Sequence, residues 1–319
     1  MPLIKNQNYV PSRWMFNGHL QTIVPAIWRR PSLLPFERER ISTPDGDFLD
    51  LDWLRQGSSR LVIISHGLEG NSRRPYMQGM AKFFFERGWD VLSWNFRGCS
   101  GELNLQPYFY HSGASNDLST VVEYAAPQYT LLSLVGFSLG GNMTLKYFGE
   151  PHPFQSKIHR GVAISVPLDL SSSCDKISKP ENRIYSWRFL KSLKAKIVAK
   201  AANFPDQIPL EPLARVRDIK TFDDIYTGPM HGFRGAKDYY AKCSSLHFLR
   251  KINHKVLIMS AKNDPFLSPS CYPEKLGEEL ENVFMEFPEY GGHVGFSPAG
   301  WKGAFWSEIR AFEFINEVG

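Results

Sequence analysis

Short apolar runs alternate along this chain with stretches in which apolar residues recur every three or four positions. Leu61-Val62-Ile63-Ile64-Ser65 is a β-branched run that ends in His66-Gly67. Met77, Met80, Ala81 and Phe84 follow at helical spacing, Gly88 closes that segment, and Asp90-Val91-Leu92-Ser93-Trp94 reads as the next strand. Leu118, Val121, Val122 and Ala125 predict a second helix, Leu131 to Val135 a strand, and Asn142 to Phe148 a third helix. Val162 to Val166, Lys255 to Ser260 and Val283 to Phe287 read as further strands, and Trp301, Phe305, Ile309 and Phe312 as one face of a last helix. Strands that are apolar nearly throughout, with helices between them, predict an α/β fold: a doubly wound, mostly parallel sheet covered on both faces.

One stretch breaks this rhythm. From Asp169 to Arg250 there are helical patterns and polar loops but no convincing core strand. The expected organisation is a core of residues 1–168 and 251–319 with 169–250 inserted as a helical lid over the carboxyl edge of the sheet. Ligands bind at that edge in this architecture.

Composition narrows the class. The 319 residues are 43% hydrophobic and 22% charged, the balance of an ordinary soluble domain. No apolar run approaches the ~18–20 residues of a membrane span, and the amino terminus lacks the continuous apolar region of a signal peptide. Four scattered cysteines without a CxxC pair argue against a disulfide framework and against a thiolate zinc site. A cytoplasmic location is the default expectation. The net charge of +5 is too weak for a nucleic-acid partner.

The charge is nevertheless local. Arg183 to Ala202 holds Arg183, Arg188, Lys191, Lys194, Lys196 and Lys200 and no acid, leaving 31 basic against 32 acidic residues elsewhere. Ile184, Trp187, Leu190, Leu193 and Ile197 recur there at helical spacing. The expectation is a lid helix with its apolar face over the pocket and its basic face solvated. Peripheral contact with an anionic membrane through 183–202 is the functional alternative.

The chemistry begins at Gly136-Phe137-Ser138-Leu139-Gly140-Gly141. A bare GxSxG arises by chance roughly 0.1 times in a chain this long, so its setting decides. An apolar strand precedes it and a helical segment follows, the strand–turn–helix context of a nucleophile elbow. Small neighbours at Gly136 and Gly140 permit the tight turn that projects the Ser138 hydroxyl from the sheet edge.

A serine hydroxyl needs a base, and the base needs an orienting acid. The expected order is Ser, acid, His. Asp264 lies just past the strand from Lys255, and His293 lies in the glycine-flanked loop after the strand from Val283. The histidines between the serine and that acid are disfavoured by order. Asp117, the competing acid, precedes the serine and reads as a helix-capping carboxylate. The amides of Leu139 and of Leu68, in His66-Gly67-Leu68-Glu69-Gly70, are the expected oxyanion donors.

These residues resemble the α/β-hydrolase superfamily, and more narrowly the YheT-like (AB-hydrolase 4) esterases. Asn17-Gly18-His19-Leu20-Gln21-Thr22 is similar to that family's amino-terminal signature. His66 to Gly70, Asn95 to Gly101 and Gly136 to Met143 resemble its core motifs, and Phe222-Asp223-Asp224 to Tyr226 with Tyr239-Tyr240 its insertion. Two departures stand out: Asn263 replaces the first Asp of the family's Asp-Asp-Pro-Phe turn, and Lys255 a strand-opening proline. His19 reads as a polar residue that fixes the amino-terminal segment.

The resemblance implies the same Ser138, Asp264 and His293 set and an esterase acting on short- to medium-chain acyl esters through an acyl-enzyme. It calls for no cofactor and no metal. The alternatives are acyl transfer to an alcohol, thioester hydrolysis, or a silent binding module. Dehalogenase chemistry is disfavoured because it expects a carboxylate at position 138.

Overall fold

The computed structural model describes residues 3–5, 9–30, 33–298 and 303–317. Nine strands form one sheet: β1 (Leu3–Ile4), β2 (Glu37–Ser42), β3 (Phe48–Leu54), β4 (Arg60–Ser65), β5 (Asp90–Asn95), β6 (Leu131–Phe137), β7 (Ile158–Ile164), β8 (Lys255–Met259) and β9 (Val283–Glu286). Their order is β1-β9-β8-β7-β6-β4-β5-β3-β2. All neighbours run parallel except β5–β3 and β3–β2. The fold is the expected doubly wound α/β-hydrolase sheet.

Both faces are covered. The helix α1 (Gly18–Trp28) precedes β2, and α2 (Pro75–Phe85), α3 (Ser115–Ala125) and α4 (Leu139–Phe148) connect strands. Met77, Met80, Ala81 and Phe84 of α2 join Ala311, Phe314 and Ile315 of the last helix, Trp306–Asn316, in the core on one face. Leu118, Val121, Val122 and Ala125 of α3 pack with Met143 and Leu145 of α4 on the other. Connections leave β4 and β6 in opposite directions, toward β5 and toward β7. The crevice between β4 and β6 is therefore the switch point where such sheets bind ligands.

Several expectations need correction. The strand expected at Val162–Val166 begins earlier, at Ile158, and ends at Ile164. In the last helix Phe305 is the N-cap, Ile309 is 39% exposed, and the buried face is Ala311, Phe314 and Ile315; Trp301 lies outside the described residues. Asp117 does not cap α3. Its carboxylate instead takes two bonds from the buried Arg97, at 2.8 and 2.7 Å, and Arg97 also reaches Asp45 and Asp47.

Among the described residues, 169–250 contributes helices and turns and no strand. It contains α5 (Leu170–Ile177) and the 21-residue α6 (Arg183–Asn203). The expected division of α6 fails at both ends. Ile184 and Trp187 stand out in solvent at 64% and 61% exposure, while Lys196 and Lys200 point inward and are buried. The apolar recurrence was real only from Leu190 to Ile197, because Lys196 and Lys200 have partners inside that the pattern does not reveal. Lys196 meets Glu69 and Lys200 the carbonyls of Asn104 and Gln106.

Candidate active site

Ser138 sits between β6 and α4 with φ +53° and ψ −117°, a positive-φ conformation uncommon outside glycine. The flanking glycines are required by space. A Cβ on Gly140 would press on the carbonyl oxygens of His66 and Ser65, and one on Gly136 on the Gly140 carbonyl and Thr144. The turn thus pushes the end of β6 against β4. Glu69, Ser165, Val294 and Phe296 also have positive φ. All four lie in loops at the carboxyl ends of strands; among the described non-glycine residues only Phe154, ahead of β7, has positive φ elsewhere, so backbone strain collects at this edge of the sheet.

The three residues expected to act together meet there. His293 Nε2 lies 3.0 Å from Ser138 Oγ, and His293 Nδ1 lies 2.8 Å from Asp264 Oδ2. The Asp264 side chain is fully buried, and its other oxygen accepts the Phe266 amide at 2.8 Å. Facing a carboxylate, Nδ1 carries the proton, which leaves Nε2 free to accept one from the serine. The Phe266 ring packs on His293 with centroids 4.2 Å apart.

The two expected amide donors line the same cavity as Ser138 and His293. In the loop after β4, the Gly67 amide donates to Tyr76 Oη at 3.0 Å, Glu69 to Tyr110 Oη at 2.8 Å and Gly70 to the Gly67 carbonyl at 3.0 Å. The Leu68 amide alone of these four has no partner among the described residues. A Cβ on Gly67 would lie 3.2 Å from that of Ser138, so the loop runs directly alongside the serine. Leu139 opens α4, where amides have no intrahelical acceptor and the helix dipole favours negative charge.

His66 fixes the root of this loop. The Phe96 amide can only donate, so His66 Nε2 accepts it at 3.1 Å, and Nδ1–H donates to the Gly67 carbonyl at 2.7 Å. Complete burial pushes its pKa down to about 3, which keeps the ring neutral.

Sequence reading missed one set of residues. Gln21 and Thr22 of α1 brace the loops that carry Asp264 and His293. Gln21 Oε1 accepts from Asn263 Nδ2 at 2.9 Å and from the Gly291 amide at 2.6 Å. Thr22 Oγ1 accepts the His293 amide at 2.8 Å. A Cβ on Gly18 would overlap the Asn263 carbonyl, so α1 lies hard against the acid loop. His19 ties α1 to the insertion instead: Nδ1 is 3.1 Å from Tyr185 Oη, with the two rings stacked. The amino-terminal signature hinted at this role but gave no contact.

Above the serine the cavity is closed by Leu170 and Ile177 of α5, Phe189 and Leu193 of α6, and Phe266. Its polar wall includes Asp223, whose carboxylate accepts from Tyr240 Oη at 2.7 Å. Burial raises the Asp223 pKa to about 6. No cluster of three or more His, Cys, Asp or Glu residues suited to a metal ion occurs among the described residues.

The profile of the α/β-hydrolase-fold family matches residues 60–298. "Putative esterase YheT" of Escherichia coli (strain K12) is 37% identical over 302 residues, spanning 90% of this chain and 86% of that protein. Phospholipase ABHD3 of Bos taurus is 27% identical over 93% of this chain and 75% of its own length. Among solved structures, the Pyrococcus furiosus esterase Pf2001 superposes with a TM-score of 0.59 at 17% identity, over 89% of this chain and 90% of that one. That likeness speaks for the fold. Family profile, relatives and sheet agree: the chain belongs to the α/β-hydrolase fold family, on its YheT-like branch, and is a hydrolase.

Proposed function

We propose that the protein is a serine carboxylic-ester hydrolase in which Ser138 is the nucleophile, His293 the general base and acid, and Asp264 the residue that orients His293. The observation that carries this reading is the continuous path from Ser138 Oγ through His293 to Asp264, at 3.0 and 2.8 Å. His293 Nε2 takes the Ser138 proton as Oγ attacks the ester carbonyl, and the buried Asp264 carboxylate stabilises the imidazolium that forms. The Leu68 and Leu139 amides receive the tetrahedral oxyanion. The imidazolium then protonates the departing alcohol. Water, deprotonated by the same nitrogen, releases the acid from the acyl-enzyme and restores Ser138.

Leu170, Ile177, Phe189, Leu193 and Phe266 make one wall of the cavity apolar, which suits an acyl chain of short to medium length. The segment 169–250 acts as the lid in this reading. Ser138→Ala is the deciding variant. It should lose esterase turnover and labelling by a fluorophosphonate probe together, and full turnover in the folded variant would overturn the assignment. A panel of esters graded by acyl length then defines the substrate.

The outer side of α6 supports a second element of the reading, peripheral docking on an anionic lipid surface. Ile184 and Trp187 are exposed beside the exposed Arg183, Arg188 and Lys191, and α6 contains no acidic residue. An apolar wedge among cations is what such a surface recognises. The names of two relatives suit a lipid-borne substrate: phospholipase ABHD3, already compared, and monoacylglycerol lipase ABHD2 of Bos taurus.

A further inference from the structure

Glu69, the residue after Leu68, is held at both its backbone and its side chain. Its φ of +52° is strained for a residue with a Cβ. Tyr110 Oη accepts its amide at 2.8 Å, and Arg74 Nη2 donates to its carbonyl at 2.9 Å. Its carboxylate points away from the serine, toward the lid. There Lys196 Nζ lies 2.6 Å from Oε1, with the two side chains only 8% and 9% exposed. Tyr110 Oη donates to the same oxygen at 2.7 Å, and Ser192 Oγ donates to Oε2.

Ser192 and Lys196 are one turn apart on α6. Lid and oxyanion loop are therefore joined through one carboxylate, and the Tyr110 hydroxyl links that carboxylate back to the loop's own amide. A buried ion pair is a poor way to hold a lid, since the desolvation of two charges largely cancels their attraction and an apolar pair of similar volume would serve as well. What an apolar pair would lack is direction. Lys196 Nζ lies in reach of the Glu69 carboxylate and of Cys99 Sγ at 3.5 Å, so a shift of α6 leaves a carboxylate buried without its cation.

We propose that Glu69 and Lys196 form a positioning pair that couples the seating of α6 to the aim of the Leu68 amide, so that the oxyanion site is complete only with the lid docked. The proposal rests on the reading of Leu68 as an oxyanion donor. Neither side chain lines the cavity, so neither is a catalytic residue; both act through the loop.

The pair is tested with Lys196→Met, Glu69→Gln, their combination and Lys196→Arg on a soluble short-chain ester, with kcat and KM resolved and folding followed by thermal unfolding. A lost oxyanion donor costs roughly 10²–10³ in rate. A misdirected one should lower kcat about 10- to 100-fold with KM within about threefold. Lys196→Arg should recover most of the rate, and the double variant should be no slower than the slower single one. Wild-type kcat in a folded Lys196→Met, or a loss confined to KM, overturns the proposal. Tyr110→Phe removes a single hydroxyl from the same linkage and is judged on the same criterion, so the test survives if Lys196→Met does not fold. If Ser138→Ala is inactive while Lys196→Met and Tyr110→Phe turn over at the wild-type rate, this coupling alone falls. If Ser138→Ala retains activity, the proposed function falls first.

Discussion

The hydroxyl of Thr22 accepts the backbone N–H of His293 at 2.8 Å. The same hydroxyl donates to the Gly18 carbonyl at 2.6 Å, so its proton is committed and its lone pair is aimed at the loop. Thr22→Val keeps the shape and removes the acceptor. Leaving one such amide unsatisfied costs about 1–3 kcal/mol. The variant should unfold at lower temperature and lose roughly tenfold in kcat, measured by calorimetry and by ester turnover.

Asn263 stands immediately before Asp264, and its environment explains the amide. Its nitrogen donates to Gln21 Oε1 while its oxygen accepts the Gly292 amide at 3.0 Å. A carboxylate would set oxygen against oxygen. Rotating the Gln21 amide would strand the Gly291 N–H and the Met15 carbonyl that Gln21 now satisfies. Asn263→Asp should therefore lose about 1–3 kcal/mol at neutral pH, read from urea unfolding.

Gly140→Ala probes the elbow. Its methyl group would meet the carbonyls of Ser65 and His66 at the end of β4, which cannot move without disturbing the sheet. We expect destabilisation of about 1–3 kcal/mol and near-complete loss of probe labelling, because the Leu139 amide moves with the turn. A fully active, stable Gly140→Ala would contradict the steric account.

Acid sensitivity follows from His66. Its folded pKa of about 3 lies below the ~6.5 of an unfolded histidine. Between those values the unfolded chain takes up a proton that the folded one refuses, so stability falls as pH drops below about 6.5. One such group contributes a slope of about 1.4 kcal/mol per pH unit. In His66→Asn that component of the slope should vanish, which denaturant titrations at pH 7, 6 and 5 would reveal.

The outer side of α6 predicts lipid selectivity. The protein should sediment with phosphatidylglycerol vesicles and not with phosphatidylcholine alone. Ile184→Ser with Trp187→Ser should abolish the binding while sparing hydrolysis of a soluble ester. Equal, negligible binding to both vesicles would remove the docking element.

Much of the core was legible because β4 to β9 are short apolar runs that only a covered parallel sheet explains. β2 and β3 were not. Glu-Arg-Glu-Arg-Ile-Ser looks like surface, and Phe-Leu-Asp-Leu-Asp-Trp-Leu places two carboxylates in a fully buried strand. The register resolves this: Arg38 faces Asp52 and Arg40 faces Asp50 across the antiparallel pair, each in a two-pronged bond. Charge alternation in one strand makes sense only beside the other.

The candidate site divides in a similar way. Ser138, Asp264 and His293 each follow a strand in a turn of recognisable composition, so local sequence pointed to them. Gln21, Thr22 and the Glu69–Lys196 pair act through contacts that join residues more than a hundred positions apart, and no local pattern announces those. The buried lysines of α6 were misread for the same reason. Periodicity reports which residues are apolar, not which charges have a counterpart waiting.

The bracing of residues 291 and 293 by residues 21 and 22 also sets an order of events during synthesis. A ribosome adds roughly 5–20 residues per second, and 271 residues separate Thr22 from His293. The brace therefore waits for tens of seconds, its hydrogen-bonding groups turned to water or to transient partners, before the loop it supports emerges. Ser138 and its elbow are translated well before then. A nascent chain stalled before that loop would present Ser138 without His293, and competence to turn over esters should appear abruptly, once the loop that carries His293 has emerged.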